Sequence, residues 1–392
     1  MSKKSRSRLW FLVHSWLSLP IWFFLLIICV TGTLATISQE IVWLANPDVR
    51  ASKPSSNAQR LDYEQILQSV QTQQPRLAVL GLSRPQEDHF ALTVRVAYPD
   101  ATTATLYVNP YSGAIQGVSP LFDFRQFTRA LHGWWLAPWT DGYSWGWYLV
   151  CSLGPLMLAS LITGLVVYKR FWRAFFKPRL RLNQGARVFW GDFHRLSGIW
   201  SIWFIGIISV TGTWFLLQAI LSDLDIPYVQ SRPPAVIQRD AVTTTNQAPP
   251  TLGLDEITQI AQARVPGFEP SFISLPESAY GPVTIGGRGW YPLMNQSLSI
   301  SPYDGSIVGT NLLDDRPALA FVTESMYPLH FGDFGGLWLK LLWFLFGLLL
   351  TFMVLSGLLI WSKRTVKASA QLRRPSRADC RAALETAAEK TP

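Results

Sequence analysis

Four segments of this chain are apolar enough and long enough to cross a lipid bilayer, and they narrow its fold class before any motif is considered. Residues 9–37, 143–168, 193–221 and 337–361 carry few or no charges. A hydrocarbon layer of ~30 Å takes about 20 helical residues. With 49% hydrophobic residues and 18 Trp in 392, the composition is not that of an ordinary soluble protein. Arg195 and Lys340 stand near the starts of the third and fourth segments, where long side chains can snorkel to the interface.

The net charge of +9 is distributed by topology. Lys3, Lys4, Arg6 and Arg8 precede the first segment, Lys169, Arg170, Arg173, Lys177, Arg179, Arg181 and Arg187 follow the second, and Lys363, Arg364, Lys367, Arg373, Arg374 and Arg377 follow the fourth. The positive-inside rule makes these three stretches cytoplasmic. Residues 38–142 and 222–336 are then extracytoplasmic, and the second of these loops is acidic, with 12 Asp/Glu against 5 Lys/Arg. Topology accounts for the basic charge, so no nucleic-acid partner is expected. The first apolar run, near 29 residues, exceeds a signal-peptide core and reads as a retained anchor. Cys29 and Cys151 fall in spans and Cys380 in the tail, so no disulfide framework is expected.

Histidines stand at repeated addresses beside these spans. His14 and His194 are 180 residues apart, and each precedes the same tetrapeptide at the same distance, Val30-Thr31-Gly32-Thr33 and Val210-Thr211-Gly212-Thr213. His132 and His330 each sit in a Leu-His pair ahead of another apolar run. Spans two and four close on Thr163-Gly164-Leu165 and Ser356-Gly357-Leu358, glycines that allow close approach of a helix or a flat macrocycle. The loops repeat as well. Helical spacing over 61–74 and 254–265 precedes strand-like 78–82, 90–96 and 104–108 in the first loop and 271–275, 282–285 and 298–301 in the second. Matching turns follow at Asn109-Pro110-Tyr111-Ser112-Gly113 and Ser301-Pro302-Tyr303-Asp304-Gly305. Pro-containing linkers lie at 46–57 and 230–250, and the tail after Lys367 is Ala- and charge-rich.

Imidazole is costly in lipid without a partner, and its repetition asks for a metal centre. Spans one and three start on the same side, so His14 and His194 share a depth, each about 27 Å of helix before Gly32 or Gly212. His132 and His330 share the opposite side. This predicts two bis-His haems, one per membrane face, each ring between two helices. Both axial positions are then filled, which favours electron transfer over oxygen chemistry. His132 lies 32 residues before Gly164, ~48 Å if wholly helical; breaks at Pro138 and Asp141-Gly142 place it in a short helix at the outer surface. Gly332, Gly335 and Gly336 do the same after His330. Trp134, Trp135, Trp139, Phe331 and Phe334 fit an interfacial aromatic belt. Arg8 and Arg195 are candidate partners for inner haem propionates, Arg125 and Arg129 for outer ones. His89 has no repeat partner and reads as a surface residue.

The N-terminal His with its downstream Thr-Gly-Thr, the two Pro-Tyr-x-Gly modules, Leu-His before spans two and four, and His194-x-x-x-Gly198 together resemble the PepSY-associated transmembrane family of iron-regulated membrane proteins. The resemblance covers nearly all of residues 8–364; Ser18 departs from it where the first copy would match Gly198. It implies a membrane α plus α/β fold: a four-helix transmembrane bundle with two extracytoplasmic PepSY-like α+β domains and an internal two-fold repeat. The expected parts are span one at 1–40, domain one at 41–130, span two with its outer-face segment at 131–172, a basic link at 173–188, span three at 189–221, domain two at 222–328, span four at 329–364 and a cytoplasmic tail at 365–392. The family includes ferric siderophore reductases of the inner membrane. It therefore implies an oxidoreductase with two haem b groups, ligated by His14, His194, His132 and His330, that reduces an extracytoplasmic ferric siderophore with electrons from a cytoplasmic or quinol donor. Two other classes stay open on the residues alone: a non-redox siderophore permease or receptor, and a regulator whose modules bind a peptide or peptidase. The chain has no Gly-x-Gly-x-x-Gly fingerprint after a strand, no Walker A loop, no His-Glu-x-x-His and no Cys-x-x-Cys. Gly142-x-Ser144-x-Gly146 matches a hydrolase elbow in letters but opens a membrane span.

Overall fold

The computed structural model describes residues 3–55, 57–168, 171–226, 236–237 and 251–372. Lys169, Arg170, nearly all of the 230–250 linker, Cys380 and the tail from residue 373 lie outside the described residues. Helices α1 (Lys3–Ser18), α2 (Trp22–Thr36) and α3 (Ser38–Ala45) come first. Helix α4 (Tyr63–Gln73) precedes strands β1 (Ala78–Ser83), β2 (Leu92–Ala97), β3 (Thr103–Val108) and β4 (Ile115–Val118). Helices α5 (Phe124–Trp134), α6 (Trp145–Cys151), α7 (Leu153–Val167), α8 (Phe171–Phe176), α9 (Ala186–Trp200) and α10 (Ile202–Asp223) follow. Helix α11 (Leu254–Arg264) then leads into β5 (Glu269–Ser274), β6 (Val283–Arg288), β7 (Asn295–Ile300) and β8 (Ile307–Asn311), before α12 (Ala318–Phe331) and α13 (Gly336–Leu372).

Among the described residues three helices are long and apolar enough to cross a membrane: Trp145–Val167, Ile202–Asp223 and Gly336–Ser362. The first expected span differs. Leu9–Leu17 and Trp22–Thr36 form a pair bent by 62°, a fourth span only if counted as one. Pro20 lies in the break; it has no amide hydrogen to donate and its ring collides with the preceding turn. His14 and Gly32 therefore stand on different helices, and the uninterrupted 27 Å of helix expected between them is absent. The third expected span is divided too, with Ser201 between α9 and α10.

The chain forms two compact units, one of Met1–Val30, Leu156–Gly206 and Phe346–Pro392, the other of Thr31–Pro155 and Ile207–Leu345. Among its described residues the first contains helices and no strand; its aromatic contacts include Trp203 and Phe204 against Phe346.

The second unit holds a single antiparallel sheet of eight strands in the order β4-β3-β2-β1-β5-β6-β7-β8. The two separate α+β domains expected from the sequence are thus fused. Their inner edges pair, with Gly81 opposite Ser274, Leu82 opposite Ile273 and Ser83 opposite Phe272. Each half alone would leave an unpaired edge strand, and joining them satisfies both ladders. Leu82 and Ile273 are buried at the junction in one core that α4 and α11 also fill, through Ile66, Val70, Ile257 and Ala261. Tyr63 Oη donates to the Pro270 carbonyl at 2.9 Å, and Glu64 accepts from the Leu254 amide at 2.8 Å, so side chains of α4 also tie the first half to the second.

The six expected strands and both expected helices are present. Strands β4 and β8 were missed because they are short, contain Gly117 and Gly309, and lie at the sheet's edges. The paired turns match in detail. Gly113 and Gly305 adopt φ of +72° and +73°, a left-handed conformation open to glycine at little cost. Pro110 and Pro302 accept from the Leu61 and Leu252 amides.

Lys340 does not snorkel. It is 7% exposed and donates to Glu40 on α3 at 3.0 Å and to Glu87 in the β1–β2 loop at 2.8 Å. The carboxylates are brought to it by the folded loop and α3, so the charge is met within the protein. His89 is half-buried rather than on the surface, its ring 5.3 Å from that of Trp43.

Candidate functional site: two histidine pairs

The helical unit brings His14 of α1 and His194 of α9 together, ring centroids 6.5 Å apart. Each imidazole is received by a hydroxyl–glycine dipeptide on another helix. His14 Nδ1 lies 3.1 Å from the Ser160 carbonyl and 3.1 Å from Thr163 Oγ1 on α7. His194 Nδ1 lies 3.0 Å from the Met353 carbonyl and 3.0 Å from Ser356 Oγ on α13. A carbonyl can only accept, so Nδ1 is the protonated nitrogen in both rings. The Thr163 and Ser356 hydroxyls donate back to Ala159 and Met353 of their own helices, which leaves them as acceptors toward the imidazoles. Gly164 and Gly357 complete the seats: a Cβ there would stand 3.4 Å from Cε1 of His14 and of His194 respectively.

The sheet-bearing unit pairs His132 of α5 with His330 of α12, centroids 6.1 Å apart. Helix α5 ends at Trp134, ahead of the expected break at Pro138, and α12 ends at Gly332 as the sequence predicts. Trp135, Leu136 and Asp141 have positive φ after α5, and Gly332 terminates α12 at φ +71°. Thr211 of α10 lies 2.7 Å from His330 Nδ1 and donates its own proton to the Ile207 carbonyl, so His330 is again the Nδ1 donor. His132 packs on Gly32 of α2, where an added Cβ would meet its Cε1 at 2.5 Å. Gly212, the counterpart of Gly32, serves a different purpose: it meets the backbone of Gly154, a helix–helix contact.

These geometries suit two axial ligands of one metal. Imidazole nitrogens bound on opposite sides at about 2 Å each put the ring centroids about 6 Å apart. A protonated Nδ1 anchored to protein oxygen leaves the lone pair on Nε2, the arrangement that orients metal-binding histidines. Among the described residues no group of three or more His, Cys, Asp or Glu could hold a metal ion. Two imidazoles alone do not complete a common protein metal site, and a haem, whose macrocycle brings four nitrogens of its own, fits the donor set.

The candidate arginines divide. Arg195 is engaged: it pairs with buried Asp192, which also holds Arg181, and donates to the Gly191 carbonyl. Arg129 lies with its guanidinium carbon 5.2 Å from the Phe331 ring centroid. The side chain of Arg8 lies outside the described residues. Thr163, Ser356 and Thr211 were missed as partners of the histidines. The signal was there, since all three precede a glycine in the repeated motifs.

Membrane-length apolar helices, a fused sheet and two histidine pairs define a membrane protein built around paired imidazoles. The chain belongs to the family described as the PepSY-associated TM region, whose model matches residues 11–364. It is also similar to an uncharacterized protein of Pseudomonas aeruginosa, 27% identical over 243 residues, which is 57% of this chain and 60% of that relative. The chain thus matches less than two thirds of the relative's length.

Proposed function

We propose that this protein is a transmembrane electron carrier of the inner membrane that holds two haem b groups and reduces an extracytoplasmic ferric siderophore. One observation carries the reading: both histidine pairs sit at bis-imidazole separation, and the His14, His194 and His330 rings have Nδ1 anchored to oxygen. In this reading His14 and His194 ligate the inner haem iron, and His132 and His330 the outer. The four apolar segments form a four-helix bundle with a two-fold repeat. Both termini are cytoplasmic, and the fused sheet is extracytoplasmic. The repeated hydroxyl–glycine seats and the distribution of Lys and Arg support this arrangement.

Held by these histidines, a haem would supply one-electron chemistry. The chain's own residues do the rest. Ser160, Thr163, Met353 and Ser356 hold two rings in the ligating tautomer, and Thr211 holds a third. Gly32, Gly164 and Gly357 let the rings lie against neighbouring helices. A cytoplasmic or quinol donor supplies the electrons. Reduction would release iron, because Fe(II) binds hard oxygen ligands more weakly than Fe(III).

The test is the spectrum of the detergent-purified protein. Two haems per chain are expected, with a sharp Soret band and resolved α and β bands after dithionite. Replacing His14 or His194 should remove one haem and leave the other. A colourless preparation from haem-replete cells would sink the reading.

A further inference from the structure

Arg125, Arg129 and His132 are spaced four and three residues apart on α5 and so share one helix face leading to the outer histidine pair. Both arginines are exposed, and among the described residues neither guanidinium has a hydrogen bond or an ion pair. Elsewhere in this unit Arg60 pairs with Asp88, Arg288 with Asp333, Arg316 with Glu324, and Arg50 with the Trp43 and Leu44 carbonyls, whereas Arg76, Arg95 and Arg264 share no helix face with a paired histidine. Asp333 attracts Arg129 without contacting it. Desolvation, then repulsion from Arg125, pulls the Arg129 pKa below the usual guanidinium range, and Asp333 only partly opposes this.

The Arg129 guanidinium carbon lies over the ring of Phe331, the residue after His330, at 5.2 Å from its centroid, and Phe331 is 37% exposed. A cation–π contact uses none of the guanidinium N–H donors in a hydrogen bond, and the match of those donors to paired anionic oxygens is specific. Two uncompensated positive charges within one helical turn repel each other, and an anion placed across them removes the repulsion.

We infer that Arg125 and Arg129 dock an anionic ferric chelate, one whose rim carries negatively charged oxygens, beside the His132–His330 pair. The assignment rests on the two-haem reading and narrows its substrate to chelates of net negative charge. The step at this site is a one-electron transfer: the chelate's Fe(III) becomes Fe(II) as the reduced protein is oxidised, and the negative oxygens stay on the chelator.

The experiment uses redox-inert gallium(III) chelates, so that binding is read without turnover. The full-length protein in detergent is titrated calorimetrically with an anionic gallium tris-catecholate and with a neutral gallium trihydroxamate. The anionic chelate should bind more tightly, with affinity that falls as salt is raised. Arg129→Gln and Arg125→Gln should each weaken it roughly tenfold or more while leaving the neutral chelate unchanged. Equal affinity for the two chelates overturns the inference. So does an Arg129→Gln variant that loses outer-haem retention but keeps its gallium affinity, which would assign the guanidinium to a haem propionate. Colourless protein that still selects the anionic chelate through both arginines would overturn the two-haem reading and leave the docking assignment standing.

Discussion

Gly32 is in direct contact with His132: a methyl group added to the glycine would lie 2.5 Å from the imidazole Cε1. That is well inside van der Waals contact, and neither α2 nor the ring can yield without moving the ligand. At Gly164 the same addition would stand 3.4 Å from His14, a tighter than usual but tolerable contact.

Gly32→Ala is therefore expected to displace the His132 ligand and to lower retention of one haem, while Gly164→Ala has a small effect. Haem content and reduced-minus-oxidised spectra of the two variants provide the check. Equal effects of the two substitutions would contradict the contact.

Thr211→Val should weaken haem binding more than Ser356→Ala. The His194 Nδ1–H keeps the Met353 carbonyl after the serine hydroxyl is lost, whereas Thr211 is the acceptor seen for His330. Loss of such an outer partner costs about 10–100-fold in metal affinity. Transfer of haem to an excess of apomyoglobin gives the rates to compare; a faster loss from Ser356→Ala would run against the assignment.

Lys340→Met should destabilise the fold by up to about 3–5 kcal/mol, because Glu40 and Glu87, 17% and 14% exposed, would be left without their cation. The pH dependence of the same cluster follows from Glu87. Burial opposes its ionisation, but the hydrogen bond and charge of Lys340 outweigh it and hold the carboxyl below its usual value. A depressed folded pKa contributes stability above the unfolded value of about 4.3, lost as pH falls through the folded value. The gap in thermal stability between the natural protein and Glu87→Gln should accordingly be flat near neutral pH and close in acid. A gap that widens in acid would show the opposite sign of coupling.

Leu82→Ala should weaken both halves of the sheet together, by about 2–5 kcal/mol. Leu82 is 1% exposed, pairs across the junction with Ile273 and belongs to the shared core. Hydrogen exchange should speed up in β2 and in β6 alike. Loss of protection confined to β1–β4 would mean that the halves fold independently.

Local patterns made much of this protein legible in its residue order. Hydrophobic length marks the spans, alternation marks six of the eight strands, and the Pro-Tyr-x-Gly turns declare their left-handed glycines. The histidine pairing was legible too, because matched addresses on repeated helices imply matched depth. Three features escaped. Pro20 signals a break, but the apolar run continues past it and conceals the bend. Lys340 looks like an interfacial cation until α3 and the β1–β2 loop bring carboxylates to it. The hydroxyl–glycine seats were visible as motifs, yet nothing local says that Thr163 serves His14, 149 residues away.

Covalent order thus sets which segments are helix, strand or turn, since these depend on side-chain periodicity and backbone freedom within a few residues. Partner choice belongs to the folded chain. Whether two half-sheets stay apart or merge at Leu82 and Ile273, and whether a glycine receives an imidazole like Gly32 or another helix like Gly212, depends on surfaces distant in sequence that meet only once the chain has closed on itself.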